Sequence, residues 1–264
     1  MKFCDKTVWI TGASSGIGRA LALKIAEDGG RILLSSRSEG QLAEVARAAE
    51  AFNSECIVEL LDLSDCDRAA EEAVSIASQY GPIDAVVHAA GISQKGEIEQ
   101  NKLRVYRNVM EINYFGLVAI VKAVLPGMLV NGNGLIVAIS SLAGKIGSKN
   151  RSGYSASKFA VCGFMDCLRA EVTSRGIDCL TVCPGYVKTN IAHNSLNADG
   201  SARRQSTPQI EGGMQPERCA DRILKAIRRR EHEVIIAQGI NAWGPLANRI
   251  APALLRRFLV GRNI

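Results

Sequence analysis

The chain has 264 residues, of which 47% are hydrophobic and 22% are charged, and its formal net charge is +6. This composition is ordinary for a soluble globular protein, and the chain is long enough for one large α/β domain with a substantial core. The basic residues are dispersed, with short clusters only at 228–230 and 256–257. Solvated helix faces are therefore favoured, and we expect no nucleic-acid partner.

The composition also bears on membranes, metals and redox compartment. No apolar run reaches the ~18 residues of a membrane span, and no secretory signal is visible before the first predicted strand. The eight cysteines form no C-x-x-C pair and there are only three histidines, so we expect no metal site. Several cysteines lie in apolar periodic segments, as small core residues do. We expect reduced thiols and a cytoplasmic location.

Strand-like and helix-like segments alternate along the chain. Apolar runs predict strands at 7–11, 31–35, 55–61, 84–88, 135–140, 178–183 and 233–237. Helical spacing predicts helices at 19–27, 41–52, 65–80, 103–129, 154–174 and 216–229. Such alternation predicts a doubly wound parallel sheet of about seven strands, covered by helices on both faces. We expect one domain over residues 1–240, followed by a C-terminal extension at 241–264.

A glycine-rich segment separates the first strand from the first helix. Its glycines are spaced G-x-x-x-G-x-G, at Gly12, Gly16 and Gly18. A strand, a glycine turn and a helix together can present the positive end of a helix to a pyrophosphate. Gly12 would allow the tight turn, Gly16 the approach of the phosphates, and Gly18 close packing of the helix on the strand. The alternative is a plain glycine-rich loop. The residues between these glycines that we also place at the cofactor are Ser14, Ser15 and Ile17.

A tyrosine and a lysine lie four residues apart in the predicted helix at 154–174. Tyr154 and Lys158 would point the same way. A nearby ammonium favours the phenolate, so we expect Lys158 to lower the pKa of Tyr154 toward neutrality. Such a phenol can exchange protons at physiological pH. By itself, this spacing also occurs by chance in many helices.

Taken together, residues 11–18, Ser141, Tyr154 and Lys158 resemble the short-chain dehydrogenase/reductase family. The resemblance extends over about residues 5–237 of the chain. It implies a Rossmann-type fold of three α/β/α layers. It also implies hydride transfer between a bound nicotinamide and a carbonyl compound or secondary alcohol, with the tyrosine as general acid or base.

The resemblance assigns further catalytic roles. Ser141 lies 13 residues before Tyr154 and matches the family's catalytic serine, while Ser140 would line the cofactor. Asn113 matches the asparagine that interrupts a helix in the family, where it would hold a water molecule and Lys158. Asparagine is unfavourable inside a helix, which supports a functional role over simple packing.

The end of the second strand bears on the choice of cofactor. An acidic residue there would bind the ribose 2′-hydroxyl of NAD, whereas an arginine accommodates a 2′-phosphate. The chain has Ser36 and Arg37, and no carboxylate before Glu39. Arg37 can offer a bidentate fork to a phosphate, so we predict NADP(H) as the cofactor. The alternatives are an NAD-dependent alcohol dehydrogenase, for which an acid would be expected near Arg37, and a solvated loop arginine.

The resemblance also supplies the remaining cofactor contacts. Asp62 would face the adenine amino group and Leu63 would add a backbone contact. His88 and Ala89 depart from the asparagines that are usual in the family, and we expect a structural role for His88. The other predicted cofactor contacts are Ala90 and Gly91 after the fourth strand, and Pro184, Gly185, Val187 and Thr189 after the sixth.

Substrate and partners are less constrained by the sequence. Residues 188–215 are polar and predict a lid over a small carbonyl or alcohol substrate, which could be lipophilic. Residues 243–260 are apolar with embedded arginines, which favours packing at the substrate mouth or at a subunit interface over contact with a membrane surface. We expect a homodimer or a homotetramer. A non-catalytic cofactor-binding sensor or scaffold is disfavoured because Ser141, Tyr154 and Lys158 are all present.

Overall fold

In the computed structural model, which describes residues 2–260 without the side chains of residues 240, 241 and 259, the apolar runs form a seven-stranded parallel sheet. The strand order is β3-β2-β1-β4-β5-β6-β7. The order reverses between β1 and β4, which opens a crevice at the carboxyl ends of these two strands. The strands are β1 (Thr7–Thr11), β2 (Arg31–Ser36), β3 (Cys56–Leu60), β4 (Ala85–His88), β5 (Gly134–Ile139), β6 (Ile177–Pro184) and β7 (Glu233–Ile236). The predicted doubly wound fold is confirmed.

The helices cover both faces of this sheet, and every predicted helix occurs with ends that shift by a few residues. Proline and glycine interrupt the C-terminal segment, which forms two short helices rather than one. The helices are α1 (Gly16–Glu27), α2 (Glu39–Glu50), α3 (Cys66–Tyr80), α4 (Leu103–Met110), α5 (Gly116–Asn131), α6 (Ser152–Val172), α7 (Pro208–Glu211), α8 (Pro216–Arg228), α9 (Gly244–Ile250) and α10 (Pro252–Leu259).

The predicted long helix at 103–129 is interrupted in the structure. It is divided by a π-helical turn, Glu111–Phe115, between α4 and α5. By length and mean hydropathy, Leu103–Asn131 could cross a membrane, although Lys122 interrupts it, so it is not the unbroken apolar run whose absence we expected. Half of its apolar stretch is buried inside the fold, however, and α5 packs against α3. A core helix meets the same criteria of length and composition.

Two hydrophobic layers hold the sheet between the helices. Val8 and Ile10 of β1 point into the layer beneath α1, α2 and α8, whereas Trp9 points into the layer beneath α3, α5 and α6. The indole of Trp9 is fully buried, and its Nε1 donates a hydrogen bond of 2.9 Å to Ser35 Oγ on the neighbouring strand. Because a strand buried on both faces needs apolar residues at every position, the runs read as continuous rather than alternating.

Candidate active site

A cleft of about 1390 Å³ lies at the carboxyl ends of the strands. It begins at the crevice between β1 and β4 and continues beneath the segment that follows β6. Every residue that the sequence placed at the cofactor lines this cleft, as does Ser141. The cofactor set is Gly12, Ser14, Ser15, Gly16, Ile17, Gly18, Ser36, Arg37, Asp62, Leu63, Ala90, Gly91, Tyr154, Lys158, Pro184, Gly185, Val187 and Thr189.

The glycine loop has no room for side chains at its three glycines. Gly12 and Gly16 have φ values of +69° and +55°, which favour glycine. A Cβ at Gly12 would lie 2.6 Å from the backbone nitrogen of Ala90, so the ends of β1 and β4 touch here. A Cβ at Gly18 would lie 2.2 Å from the carbonyl oxygen of Gly12, which agrees with the predicted close packing of α1 on the strand. The bare backbone leads to the amino end of α1, where N–H groups can bind phosphate.

Tyr154 and Lys158 lie on one face of α6 and are both buried. The Lys158 Nζ lies 5.9 Å from the centre of the Tyr154 ring and donates a hydrogen bond of 2.9 Å to the carbonyl oxygen of Ile139. Burial lowers the pKa of Lys158 to about 8, while the nearby thiols of Cys162 and Cys183 oppose this shift. The two side chains therefore share one wall of the cleft, as their spacing predicted.

The direction of the tyrosine pKa differs from the expectation. Burial raises the pKa of the Tyr154 phenol above its ordinary value, whereas the hydroxyl of Ser141 and the charge of Arg151 act to lower it. The prediction that Lys158 brings this pKa toward neutrality is therefore wrong for the protein alone. Burial disfavours the phenolate more than these neighbours stabilise it.

The two serines after β5 have different partners. Ser141 Oγ accepts a hydrogen bond of 3.1 Å from the backbone of Ala143 and so begins a short 3₁₀ turn, and its side chain lines the cleft. Ser140 Oγ donates a hydrogen bond of 3.0 Å to the carbonyl oxygen of Lys158. Ser140 therefore fastens α6 to the sheet, in addition to lining the cleft as predicted.

Asn113 is fully buried behind the cleft wall and does not line the cleft itself. Its Oδ1 accepts a hydrogen bond of 2.8 Å from the backbone N–H of Ile92. Its Nδ2 donates to the carbonyl oxygen of Ile92 and to Ser157 Oγ, both at 2.9 Å. The asparagine therefore lies in the π-helical turn and joins it to α6 and to the loop after β4. Its predicted relay with Lys158 stays a prediction.

His88 ends β4 as a buried, structural side chain, in agreement with the expectation. Its Nδ1 lies 2.9 Å from Thr11 Oγ1 on the adjacent strand, whereas its Nε2 has no hydrogen-bond partner among the described residues. Burial and the charge of Lys158 lower the pKa of His88 to about 3. The imidazole is therefore neutral at physiological pH.

The adenosine end of the cleft lies beyond the ends of β2 and β3. Arg37 is exposed there, beside Ser36, and Leu63 is buried. Asp62 accepts a hydrogen bond of 3.0 Å from the backbone of Ser64. An acid at this position could also cap the following helix, but the cap of α3 is Asp65, whose carboxylate accepts a hydrogen bond from the backbone of Arg68. Asp62 is therefore not needed to cap the helix, and its exposed side chain lies at the cleft.

Two segments cover the other end of the cleft. The predicted lid at 188–215 contributes lining residues and contains α7. Trp243, directly before α9, also lines the cleft, as do Ala247 of α9 and Leu255 of α10. Asn248 donates a hydrogen bond of 3.0 Å to the carbonyl oxygen of Lys145, which anchors α9 to the domain. The C-terminal segment thus packs at the cleft mouth, one of the arrangements that we expected.

Sequence patterns gave no indication of Gln94, which holds the start of α6. It is 1% exposed, and its Oε1 accepts hydrogen bonds from the backbone nitrogens of Gly153 and Tyr154 at 3.1 and 3.3 Å. These N–H groups at the start of α6 would otherwise be unsatisfied. The capping residue is 60 positions from Tyr154 in the chain, so no local pattern could have identified it.

The sequence also matches a known family over most of its length. The family model described as short chain dehydrogenase matches residues 6–200. This chain belongs to the short-chain dehydrogenase/reductase family. It is 37% identical over 266 residues to the protein named dehydrogenase/reductase SDR family member 7B of Xenopus tropicalis, covering 98% of this chain and 85% of that protein.

Solved structures of the same family share the fold. A short-chain dehydrogenase from Sphingobium yanoikuyae in complex with NADPH is 25% identical, with a TM-score of 0.79 over 98% of this chain and 96% of that one. A short-chain dehydrogenase/reductase from Burkholderia phymatum in complex with NAD has a TM-score of 0.82 and 24% identity, covering 100% of this chain and 97% of that one. The family is one of oxidoreductases, and these two members were solved with different nicotinamide cofactors.

Proposed function

We propose that this short-chain dehydrogenase/reductase is an NADP(H)-dependent carbonyl reductase that uses Tyr154 as its proton donor. The observation that supports this most directly is the meeting of Ser141, Tyr154 and Lys158 in the same cleft as the glycine loop. A dinucleotide bound along the crevice would extend from the loop at α1 to this group. The residues fit such a cofactor because the glycine backbone leaves open the space beside the amino end of α1.

Each side chain has a role that follows from its surroundings. A bound nicotinamide would supply or accept the hydride. Because burial raises the pKa of Tyr154, its phenol carries a proton at neutral pH, which is the state that a proton donor requires. Ser141 would donate a second hydrogen bond to the carbonyl oxygen as negative charge develops on it. Lys158 holds its ammonium against the Ile139 carbonyl, with its remaining donors available to the nicotinamide ribose.

The preference for NADP(H) over NAD(H) is argued from Arg37. This exposed guanidinium at the end of β2 has no ion-pair partner among the described residues. In the sequence, no carboxylate follows β2 before Glu39. The end of β2 therefore lacks the acid that binds the ribose of NAD. An always-charged fork suits a 2′-phosphate.

A panel of aldehydes, ketones and alcohols, followed by NADPH absorbance with NADH run in parallel, tests the function. We expect turnover of carbonyl compounds with NADPH. Tyr154→Phe should lower kcat on the order of 10²-fold or more, because the proton donor is lost, while fluorescence titration shows NADPH binding largely unchanged. Full activity of Tyr154→Phe would rule out the assigned proton donor. Tyr114→Phe, on the neighbouring π-helical turn, is the matched control and should leave kcat unchanged.

A further inference from the structure

Three cationic side chains line the substrate end of the cleft and are not used by the mechanism above. They are Lys95 in the loop after β4, Arg151 directly before α6, and Arg203 in the segment over the cleft, and each is partly buried. None forms an ion pair with a carboxylate in residues 2–260. Among the described lining residues Asp62 is the only acid, and it belongs to the adenosine end.

Backbone hydrogen bonds hold the three segments together. The N–H of Lys95 donates to the carbonyl oxygen of Leu196 at 2.8 Å, and the N–H of Arg203 donates to that of Ser195 at 2.8 Å. The N–H of Gly96 donates to the carbonyl oxygen of Asn150 at 3.0 Å, which brings the Lys95 loop beside Arg151. The grouping of these cations is therefore set by the main chain rather than by chance orientation of long side chains.

The charges of Arg151 and Arg203 act on Lys95, and the charge of Arg151 also acts on Tyr154. Burial and the charges of Arg203 and Arg151 lower the pKa of Lys95, and the charge of Arg151 also acts to lower the pKa of Tyr154. Like charges gathered without a counterion repel, so the arrangement is unfavourable unless an anion binds there. The Nε of Arg203 is buried and has no acceptor among the described residues. A buried donor without an acceptor is unfavourable, and an anionic ligand would supply the acceptor.

The phosphates of the cofactor do not account for this group. In the proposed function they lie at the glycine loop and at Arg37, whereas the charge of Arg151 acts on Tyr154. Arg151, by contrast, lies three residues before Tyr154, and its guanidinium stacks over the ring of Tyr186 at 5.8 Å. The anion that fits here belongs to the molecule whose carbonyl meets Tyr154.

We propose that Lys95, Arg151 and Arg203 bind a phosphate or carboxylate group on the substrate, so that the enzyme reduces anionic carbonyl compounds. The proposal rests on the reductase function proposed above. The two guanidinium groups can make paired hydrogen bonds to the planar carboxylate or to phosphate oxygens, and Lys95 adds a point charge. The group would also orient the substrate, because the anion fixes one end while Tyr154 and Ser141 hold the carbonyl oxygen at the other.

Matched aromatic aldehydes test this assignment. The probes are 4-formylphenyl phosphate, 4-carboxybenzaldehyde and the uncharged methyl 4-formylbenzoate, each measured with saturating NADPH. We expect kcat/KM to be at least about tenfold higher for one of the anionic aldehydes than for the ester, since charge-assisted pairs are the strong ones. Whichever anionic aldehyde is preferred identifies the group as phosphate or carboxylate. A preference for the ester would overturn the proposal.

Variants separate recognition from a structural role. Arg203→Gln should raise KM for the preferred anionic aldehyde about tenfold and leave the ester nearly unchanged, while Arg203→Lys should retain part of the preference. The control is Arg204→Gln, which makes the same change of charge at the neighbouring, exposed position outside the cleft lining. Arg204→Gln should change KM for neither the anionic aldehyde nor the ester. Equal losses for ester and anion in Arg203→Gln would show a structural role and refute the assignment.

A binding measurement keeps the two proposals apart. Phenyl phosphate is titrated calorimetrically into the enzyme saturated with NADPH. Binding that Tyr154→Phe retains and Arg203→Gln loses supports the anion site, even if none of the aldehydes is turned over and the reductase function fails. If the ester is turned over, but phenyl phosphate does not bind and neither anionic aldehyde is preferred, the reductase function is supported and the anion site is overturned.

Discussion

Asn113 and Lys158 converge on Gly91, the glycine that follows β4. A Cβ at Gly91 would lie 3.1 Å from Asn113 Oδ1 and 3.3 Å from Lys158 Nζ. Three separate segments thus meet at a position where only a hydrogen atom fits without displacement. The glycine therefore couples the loop beside the cofactor to the two polar groups behind Tyr154.

The first prediction concerns Gly91→Ala. The added methyl group should push the Lys158 ammonium or the Asn113 amide by a few tenths of an ångström, and kcat should fall about tenfold because catalytic geometry is sensitive to such shifts. Steady-state kinetics with NADPH and a carbonyl substrate measure the change. Gly163→Ala, in α6 with no atom near the added carbon, is the control. It should keep the activity and stabilise the helix by about 0.5–1 kcal/mol.

The second prediction concerns the cofactor. Arg37→Asp replaces the guanidinium by a carboxylate that repels a 2′-phosphate and can accept from a 2′-hydroxyl. The ratio of kcat/KM for NADPH to that for NADH should fall on the order of 10²-fold. Arg47→Asp, on the exposed part of α2 and outside the cleft lining, makes the same change of charge and should leave the ratio intact. An unchanged ratio in Arg37→Asp would contradict the NADP(H) assignment.

The third prediction is a dependence of stability on pH. Lys158 has a pKa of about 8 in the folded protein, below its ordinary value of 10.5. Between these values the unfolded chain binds more protons at this position, so the Lys158 contribution makes stability rise with pH in that window. Below pH 8 the ammonium is charged in the folded protein, and the full cost of burying it lowers the free energy of unfolding. Lys158→Met removes this titration, although it leaves the Ile139 carbonyl without its donor, at a cost of about 1 kcal/mol.

Urea unfolding of the wild-type protein and Lys158→Met, at several pH values from 7 to 10.5, measures this effect. We expect the free energy of unfolding of Lys158→Met to exceed that of the wild-type protein most at pH 7. This difference in free energy should shrink by about 2–3 kcal/mol as pH approaches 10.5. A difference independent of pH would show that the ammonium is not held at a lowered pKa. Reductase activity should be lost in the variant at every pH, so the stabilising change is also inactivating.

The fourth prediction concerns the outer surface of the C-terminal helices. While one side of α9 and α10 faces the cleft, Ile250 and Leu254 do not line it and are 73% and 67% exposed. The described part of this segment, residues 243–260, carries arginines and no acidic residue. An apolar surface with basic residues favours binding to anionic lipid. We expect the protein to sediment with phosphatidylglycerol vesicles and less with phosphatidylcholine vesicles.

The double variant Ile250→Glu/Leu254→Glu should abolish sedimentation and leave turnover of a water-soluble aldehyde unchanged, because both side chains are exposed and neither lines the cleft. High salt should weaken the binding of the wild-type protein. If the protein stays in the supernatant with both lipids, membrane contact is ruled out. A concentration-dependent dimer that the same variant disrupts would instead place this surface between subunits.

The sequence predicted the sheet and the cofactor side of the cleft because both depend on local signals. The alternation of apolar runs determines a parallel sheet, and the positive φ of Gly12 and Gly16 requires glycine at those positions. A helical spacing of four likewise places Tyr154 and Lys158 together. These features need only neighbouring residues to be recognised.

The rest depends on contacts between distant segments. The pKa of Tyr154 is governed by burial, which sequence spacing does not report, and the expected effect of Lys158 was therefore overestimated. The hydrogen bond that the N–H of Tyr154 donates to Gln94 Oε1 joins segments 60 residues apart. The grouping of Lys95, Arg151 and Arg203 likewise arises only when the lid and two loops meet. The helix predicted at 103–129 packs in the fold, but the π-helical turn at Glu111–Phe115 that carries Asn113 is not encoded in hydrophobic spacing.

The bond between Gln94 and α6 has a consequence for redesigning this enzyme. The loop that carries Lys95 into the substrate region is the same loop that fastens the backbone of Tyr154. Transplanting this loop from another enzyme to alter substrate choice would also shift the proton donor, so such chimaeras should lose turnover before they gain a new substrate. Thr207, Gln209 and Ile210 line the cleft and form no hydrogen bond with the Gln94 loop among the described residues, so libraries intended to change selectivity should be built there.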